Sequence, residues 1–179
     1  IYGTTEIMRR IREDAAEIGL VYYPPADSHI TARGTARQPM HAIVHAQHPL
    51  ASATHTSLQE LNQWPIAMLQ GVYGIRQLIE YAEHADKIHL SPALTSNLIS
   101  VLLAFVSSGQ GVTLLPPCSV TAAVASGRLR AIPIHNPAFQ DAEMQLITRT
   151  GRHLSPAANR FLLYCMQGIQ AFQTDQPIG

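Results

Sequence analysis

The stretch 95–116 constrains the fold more than any other part of this sequence, because it reads as a helix, a turn and a strand in order. Thr95 or Ser96 can cap the start of the helix. Apolar residues then recur at three- and four-residue spacing, which predicts an amphipathic helix carrying Leu98, Val101, Leu102, Phe105 and Val106. Gly109 can end this helix, Gly111 permits a tight return, and the Val-Thr-Leu-Leu run that follows predicts a short strand.

The order of these elements argues against a dinucleotide site. Such a site needs a strand, then glycines, then a helix, because the phosphate binds the free amides at the helix N-terminus. Here the helix comes first and the strand last. We therefore interpret Gly109 and Gly111 as architectural.

Strand and helix patterns alternate along most of the remaining chain, which predicts an α/β fold with mostly parallel sheets and helices on both faces. The predicted helices are 4–12, which could extend to Asp14, then 56–62, 74–85, 119–125 and one beginning at Ser155-Pro156. The predicted strands are 16–23, 40–46, 65–69, 88–90, 112–115, 129–134 and 143–148. The polar, turn-rich segment 24–37 is predicted to be a loop.

The amino-acid composition argues against several classes of function. Charged residues make up 13% of the 179 residues and the formal net charge is zero, so this chain lacks the basic surface that nucleic acid or an anionic membrane requires. There is no apolar run long enough to span a bilayer. The two cysteines, Cys118 and Cys165, show neither metal nor redox spacing. We expect a soluble cytoplasmic domain without a membrane partner.

Two catalytic alternatives find little support in the sequence. His41 and His45 share one face of a predicted strand, but no Cys, Asp or Glu lies close by in sequence to complete a metal site, and solvent-facing edge residues explain them better. Ser108 lies at a helix end, whereas the serine of a hydrolase nucleophile elbow begins a helix. We expect neither an enzyme, nor a metal, nor a cofactor.

Helix starts suggest a binding function instead. Free amides at helix N-termini beside the carboxyl ends of parallel strands favour anions such as carboxylates. Three places qualify: Thr4-Thr5, the turn 70–74, and Thr95-Ser96. At each place the hydroxyl could equally serve only as a helix cap. Arg76 opposes the helix dipole, so it could pair with an acidic ligand or simply be solvated.

Four segments in order resemble those of the effector-binding domain of LysR-type transcriptional regulators. The helix ending in Val-Ser-Ser-Gly-Gln-Gly-Val-Thr-Leu-Leu-Pro, 106–116, is similar to a signature of that family. His48-Pro49-Leu50-Ala51 resembles its HPLA element, and Ser126-Gly127-Arg128-Leu129 its late turn. Leu154-Ser155-Pro156-Ala157-Ala158 resembles the start of its final helix. The resemblance spans nearly the whole chain.

The resemblance implies two α/β lobes of the type II periplasmic-binding-protein kind. Lobe I would comprise 1–38 and 142–175, and lobe II would comprise 39–141. A small anionic effector would bind between the lobes, and a DNA-binding domain outside this sequence would respond to it. The residues expected to bind the effector are Thr4, Thr5, Gln70, Gly71, Tyr73, Arg76, Thr95 and Ser96.

Three further expectations follow from the resemblance. The chain should form a homodimer or tetramer, with helix 74–85 as the candidate interface. Lobe I should be incomplete, because the family's first lobe has a strand and a helix before the point at which Ile1-Tyr2-Gly3 enters. The alternative function, a solute-binding protein of a transport system, would be revealed by an upstream signal peptide, whereas an upstream helix-turn-helix would indicate the regulator.

Overall fold

Two β-sheets organise the chain. The computed structural model describes residues 2–71 and 74–170, and the strands in that part are β1 Gly19–Tyr22, β2 Ile30–Arg37, β3 His41–His45, β4 Ile66–Leu69, β5 Pro92–Ser96, β6 Val112–Leu115, β7 Leu129–Pro133 and β8 Glu143–Arg149. The helices are α1 Thr4–Arg12, α2 Leu58–Leu61, α3 Gly74–Ala85, α4 Ile99–Ser107, α5 Thr121–Ala125, α6 Pro137–Gln140 and α7 Pro156–Gln170. The α/β fold class predicted from the sequence is confirmed.

The described residues group into two units. The first comprises 2–38, 74 and 143–170, and the second comprises 39–71 and 75–142. The first unit holds a sheet of order β1-β8-β2, and the second a sheet of order β5-β4-β6-β3-β7.

Helices cover both faces of the first sheet. Neighbouring side chains of a strand point to opposite faces, so Leu146 and Ile147 of β8 belong to different clusters. Ile147 packs with Val21 and with Met8 and Ile11 of α1. Leu146 packs with Ala36 and with Leu162 and Ile169 of α7. The sheet is thus held between α1 and α7.

Each sheet contains one strand that runs antiparallel to its neighbours. In the second sheet β4 is parallel to β5 and β6, while β3 lies antiparallel between β6 and β7. In the first sheet β8 is antiparallel to both β1 and β2. The prediction of mostly parallel sheets therefore missed β3 and β8. Both follow directly after the chain passes from one unit to the other, whereas parallel neighbours such as β4 and β5 are joined through a helix.

The prediction of a loop over 24–37 was wrong, because β2 occupies most of it. Of this strand only Ala36 is buried, so the sequence lacks the apolar alternation that marks a half-buried strand. Its backbone instead pairs with β8, from Ile30 opposite Arg149 to Arg37 opposite Glu143, with an irregularity between Ala32 and Gly34. This distant partner determines the structure of the segment.

The stretch 95–116 also begins differently from its prediction. Thr95 and Ser96 end strand β5, and helix α4 starts only at Ile99, after Leu98, which makes no side-chain cap. The predicted strand 88–90 was wrong, since β5 lies further along the chain. The turn and the strand are confirmed: Gly109 has a φ of +76°, and β6 follows it. The predicted apolar stripe was wrong in part, because Leu102 and Val106 are buried but Leu98 precedes the helix and both Leu98 and Val101 are exposed.

Candidate functional site

The predicted binding residues of the second unit meet at one edge of its sheet. Strands β4 and β5 are parallel neighbours with Leu69 opposite Ser96, so their carboxyl ends lie side by side. The backbone amide of Gln70 donates to the carbonyl of Ser96 at 2.9 Å. The hydroxyl of Ser96 accepts a hydrogen bond from the amide of Leu98 at 3.1 Å, which shapes the turn into α4. Gln70, Gly71 and Thr95 are exposed beside these bonds.

Helix α3 begins just beyond this edge. Gly71 has a φ of +89°, which suits glycine in the turn that leads toward the helix. Tyr73, another predicted binding residue, lies outside the described residues. The N-terminus of α3 carries the positive end of a twelve-residue helix dipole, which favours a nearby anion.

Arg76, in the first turn of α3, has partners within its own unit. Its Nε donates to Glu80 Oε1 at 2.9 Å, and its Nη2 lies 3.5 Å from Glu83 Oε2. Its Nη1 contacts the sulfur of Met68. These contacts offset the unfavourable position of a cation at a helix start. The guanidinium would have to exchange one of them to bind an effector.

In the first unit, Thr4 is the predicted residue with the clearest structural role. It is buried, and its hydroxyl donates to the carbonyl of Tyr22, at the carboxyl end of β1, at 3.1 Å. Thr5 is exposed. The expectation that either threonine caps α1 was wrong, because the N-cap is Gly3 and no side-chain cap is present. The free amides of α1 therefore remain unoccupied by a threonine side chain.

Gly74 lies against the same two residues. A Cβ at this position would stand 1.8 Å from the carbonyl oxygen of Tyr22 and 2.9 Å from the hydroxyl oxygen of Thr4. A side chain therefore does not fit here. The first residue of α3 thus lies beside the start of α1.

Tyr22 is the residue of this region that the sequence interpretation did not single out. Its carbonyl accepts from Thr4, and its hydroxyl donates to the carbonyl of Gln38 at 2.8 Å. The sequence showed it only as part of a buried strand ending at Pro24-Pro25. The sequence signal that could have identified Tyr22 is its position at the carboxyl end of a strand that two prolines terminate.

The histidines of β3 are not solvent-facing edge residues, contrary to the sequence interpretation, because β3 lies between β6 and β7. His41 is half-buried with its Nδ1 3.2 Å from the carbonyl of Pro39, and burial lowers the pKa of its imidazole. Across residues 2–71 and 74–170, no three His, Cys, Asp or Glu residues are grouped closely enough to hold a metal ion. Burial raises the pKa of the Cys118 thiol, which makes it a weak nucleophile at neutral pH.

No helix in the described part of the chain is long and apolar enough to cross a membrane.

Comparison with known proteins shows which proteins this chain is similar to. The chain is 25% identical over 172 residues to the uncharacterized HTH-type transcriptional regulator YnfL of Escherichia coli K12, covering 94% of this chain and 56% of that protein. It is 24% identical over 173 residues to the HTH-type transcriptional activator CmpR of Synechocystis PCC 6803, covering 96% of this chain and 56% of that protein. The chain thus spans a little over half the length of these relatives. The related proteins are transcriptional regulators, not enzymes.

Solved structures agree on the fold. The regulatory domain of Synechocystis PCC6803 CcmR in complex with 2-PG superposes with a TM-score of 0.79 at 19% identity, covering 98% of this chain and 82% of that one. The effector-binding domain of QuiR in complex with shikimate gives a TM-score of 0.78 at 18% identity, covering 95% and 79%. The two-lobed type II periplasmic-binding-protein fold is therefore confirmed. The sequence model of the LysR substrate binding domain matches residues 2–170, and the chain belongs to that family.

Proposed function

We propose that this chain is the effector-binding domain of a LysR-type transcriptional regulator and that it senses a small anionic metabolite. The effector is held by Thr4 and Thr5 of the first unit and by Gln70, Gly71, Arg76, Thr95 and Ser96 of the second, together with Tyr73. Binding favours one conformation of the domain by differential affinity, and a DNA-binding domain elsewhere in the protein responds to it.

The observation that carries this proposal is the pairing of Gln70 with Ser96. It brings the carboxyl ends of β4 and β5 together next to the N-terminus of α3, where hydroxyls, amides and a helix dipole can receive an anion. The first unit offers a similar arrangement at Thr4, beside the end of β1. The related transcriptional regulators favour this reading over a transport protein.

The anionic class is supported by the same features. Among the described residues of these turns, the donors are neutral hydroxyls and backbone amides, which hydrogen-bond a carboxylate without requiring a free cation. Glu80 is exposed, so Arg76 could release its contact with this carboxylate at a modest cost in free energy. The guanidinium would then add a positive charge to the binding site.

Native mass spectrometry of the protein purified from its own host tests the proposal. We expect a bound small molecule whose released form carries a carboxylate or phosphate, and whose affinity falls about tenfold or more in Ser96→Ala. A protein free of ligand from cells grown under many conditions, or a bound cation in its place, would contradict the proposal.

We also propose that the domain self-associates through α3. Tyr81 on this helix is 58% exposed, so its ring is available to pack against a second copy of the chain. Sedimentation velocity at micromolar concentration should show an oligomer that Tyr81→Glu dissociates. A wild-type monomer would rule out this interface.

A further inference from the structure

Exposed apolar side chains gather at the start of α4, next to the turn that carries Ser96. Among the described residues of the second unit, the large hydrophobic side chains that are more than a third exposed are Tyr81, Leu98, Ile99 and Val101. Three of these four lie within four consecutive positions, and we call Leu98, Ile99 and Val101 the α4 patch. Leu98 is the most exposed member of the patch, at 55%.

The composition of α4 makes this exposure informative. The helix reads Ile-Ser-Val-Leu-Leu-Ala-Phe-Val-Ser, so apolar side chains lie on all of its sides. A helix that is hydrophobic all round is normally buried all round. Further along α4, Leu102 and Val106 are buried, whereas the α4 patch at its start is open to solvent. The patch is therefore a surface to which a ligand or a partner can add apolar contacts.

The α4 patch adjoins a hydroxyl that has a proton to donate. The Ser96 hydroxyl accepts from the amide of Leu98 at 3.1 Å, and no group among the described residues accepts its own proton. Because the Cβ of Leu98 is two bonds from that amide nitrogen, the Leu98 side chain begins within about 6 Å of the Ser96 hydroxyl. An anion held by Ser96 would have apolar surface directly beside it.

The surroundings of the patch select against a second charge on the ligand. The chain contains no Asp, Glu, Lys, Arg or His from position 91 to position 127. A further charged group lying on the patch would lose hydration without gaining an ion pair from this stretch. One negative charge beside Ser96 is favoured, because α4 has no side-chain cap and the positive end of its dipole lies there. The rest of the ligand should be uncharged and apolar.

We propose that the effector is an amphipathic carboxylate. Its carboxylate accepts from the Ser96 hydroxyl, and its hydrocarbon body, an alkyl chain or a small ring, packs on Leu98 and Val101. Leu98 is then a specificity-determining residue of the effector site. This inference rests on the proposed function, since it assigns the chemical class of the same effector.

A series of alkanoates tests the two parts of the ligand separately. Acetate, butanoate and hexanoate carry the same charge on chains of different length, and hexanamide has the hexanoate chain without the charge. In the ¹⁵N-labelled chain, at neutral pH and constant ionic strength, the amide signals of Gln70 and Leu98 report binding. We expect the affinity to rise about threefold per methylene from acetate to hexanoate, and hexanamide to bind about tenfold more weakly than hexanoate.

Three substitutions assign these contacts to residues. Leu98→Ala removes apolar surface but keeps the amide that binds Ser96, so it should reduce the dependence on chain length and leave acetate binding unchanged. Leu163→Ala, in α7 of the first unit, is the matched control because Leu163 is also 55% exposed, and it should behave as the wild type does. Ser96→Ala should weaken all three alkanoates by the same factor, about tenfold.

The failure of this inference can be told from the failure of the proposed function. If affinity did not depend on chain length but Ser96→Ala weakened acetate, the apolar contact would be wrong and the anion site would stand. If hexanamide bound as tightly as hexanoate and Ser96→Ala had no effect, both would be wrong. Amide signals that no alkanoate shifts would overturn the inference, as would an oligomer that Leu98→Ala dissociates without changing hexanoate binding.

Discussion

Gly111 lies so close to Pro65 that a Cβ on Gly111 would stand 2.0 Å from the Pro65 carbonyl oxygen. The same oxygen accepts a hydrogen bond from the amide of Val112 at 3.0 Å, so the contact lies where β4 and β6 begin to pair. Gly111→Ala should lower the free energy of unfolding by about 1–3 kcal/mol or more, because backbone must move to admit the methyl group. Urea denaturation measures the change.

Gly168 in α7 offers the opposite case and serves as the control for Gly111. A Cβ there would meet no atom within 4 Å. Gly168→Ala should therefore raise the free energy of unfolding by about 0.5–1 kcal/mol, through the better helix propensity of alanine. Equal urea midpoints for Gly111→Ala and the wild type would show that Gly111 does not contact Pro65 as described.

Glu83 anchors the loop that follows α3. It is buried, and its Oε1 accepts from the amide of Leu90 at 2.6 Å. Glu83→Gln keeps an oxygen that can accept from Leu90 but loses the negative charge that strengthens this bond, so it should lower the free energy of unfolding by about 1–1.5 kcal/mol. Glu80→Gln removes a carboxylate that also pairs with Arg76 but is exposed, and should cost no more than about 0.5 kcal/mol. Similar losses in both variants would show that the buried bond between Glu83 and Leu90 contributes no more than an exposed ion pair.

The histidines of the second unit should make stability depend on pH. Burial lowers the pKa of His41 and His48 below the value of about 6.5 expected for an unfolded chain. Between the folded and unfolded pKa values the unfolded state binds more protons, so the free energy of unfolding should fall as the pH drops from about 7.5 to 5.5.

This pH window separates histidines from carboxylates. Hydrogen bonds from Ser155 lower the pKa of Glu17, and the amide of His29 lowers that of Asp27, so these groups act mainly below about pH 5. His48→Asn should reduce the drop in urea midpoint between pH 7.5 and 5.5. An unchanged drop would mean that His48 is protonated equally in the folded and unfolded states.

The sequence predicted those elements whose own residues determine their structure. Helix α3 and strand β6 follow from local apolar patterns, and both are present. Strand β2 could not be predicted because its ladder depends on β8, more than a hundred positions later. Thr95 and Ser96 suit both a helix cap and a strand end, so only the pairing of β4 with β5 decides between them.

The same limit applies to the candidate site. If β4 and β5 are parallel, Gln70 and Ser96 are expected at the same edge of the sheet. The hydrogen bond between their backbones shows that they lie there. The partners of Arg76 could not be foreseen, because Met68 belongs to a strand before the turn and Glu83 lies two helical turns further on. Likewise, nothing in the local pattern indicates that Thr4 donates to Tyr22.

The hydroxyl of Thr4 provides the last prediction, because two roles for it can be separated. It donates to the carbonyl of Tyr22 at 3.1 Å, so Thr4→Val should lower the free energy of unfolding by about 0.5–1.5 kcal/mol. Thr5→Val, at an exposed position without a capping bond, should leave the stability nearly unchanged. If the Thr4 hydroxyl exchanges its bond to Tyr22 for one to the effector, Thr4→Val should weaken effector binding by about 1–3 kcal/mol in calorimetry.

Thr4→Ser is the variant that distinguishes loss of the hydroxyl from loss of fit. It keeps the donor and should preserve the affinity to within about 0.5 kcal/mol, whereas loss of its buried methyl group should lower the free energy of unfolding by about 0.8 kcal/mol. An effector affinity that is equal in wild type, Thr4→Val and Thr4→Ser would remove Thr4 from the binding site while leaving its bond to Tyr22 intact. If Thr4→Val were as stable as the wild type, the bond to Tyr22 would contribute nothing, and the start of α1 would be held by its apolar contacts alone, through Met8 and Ile11.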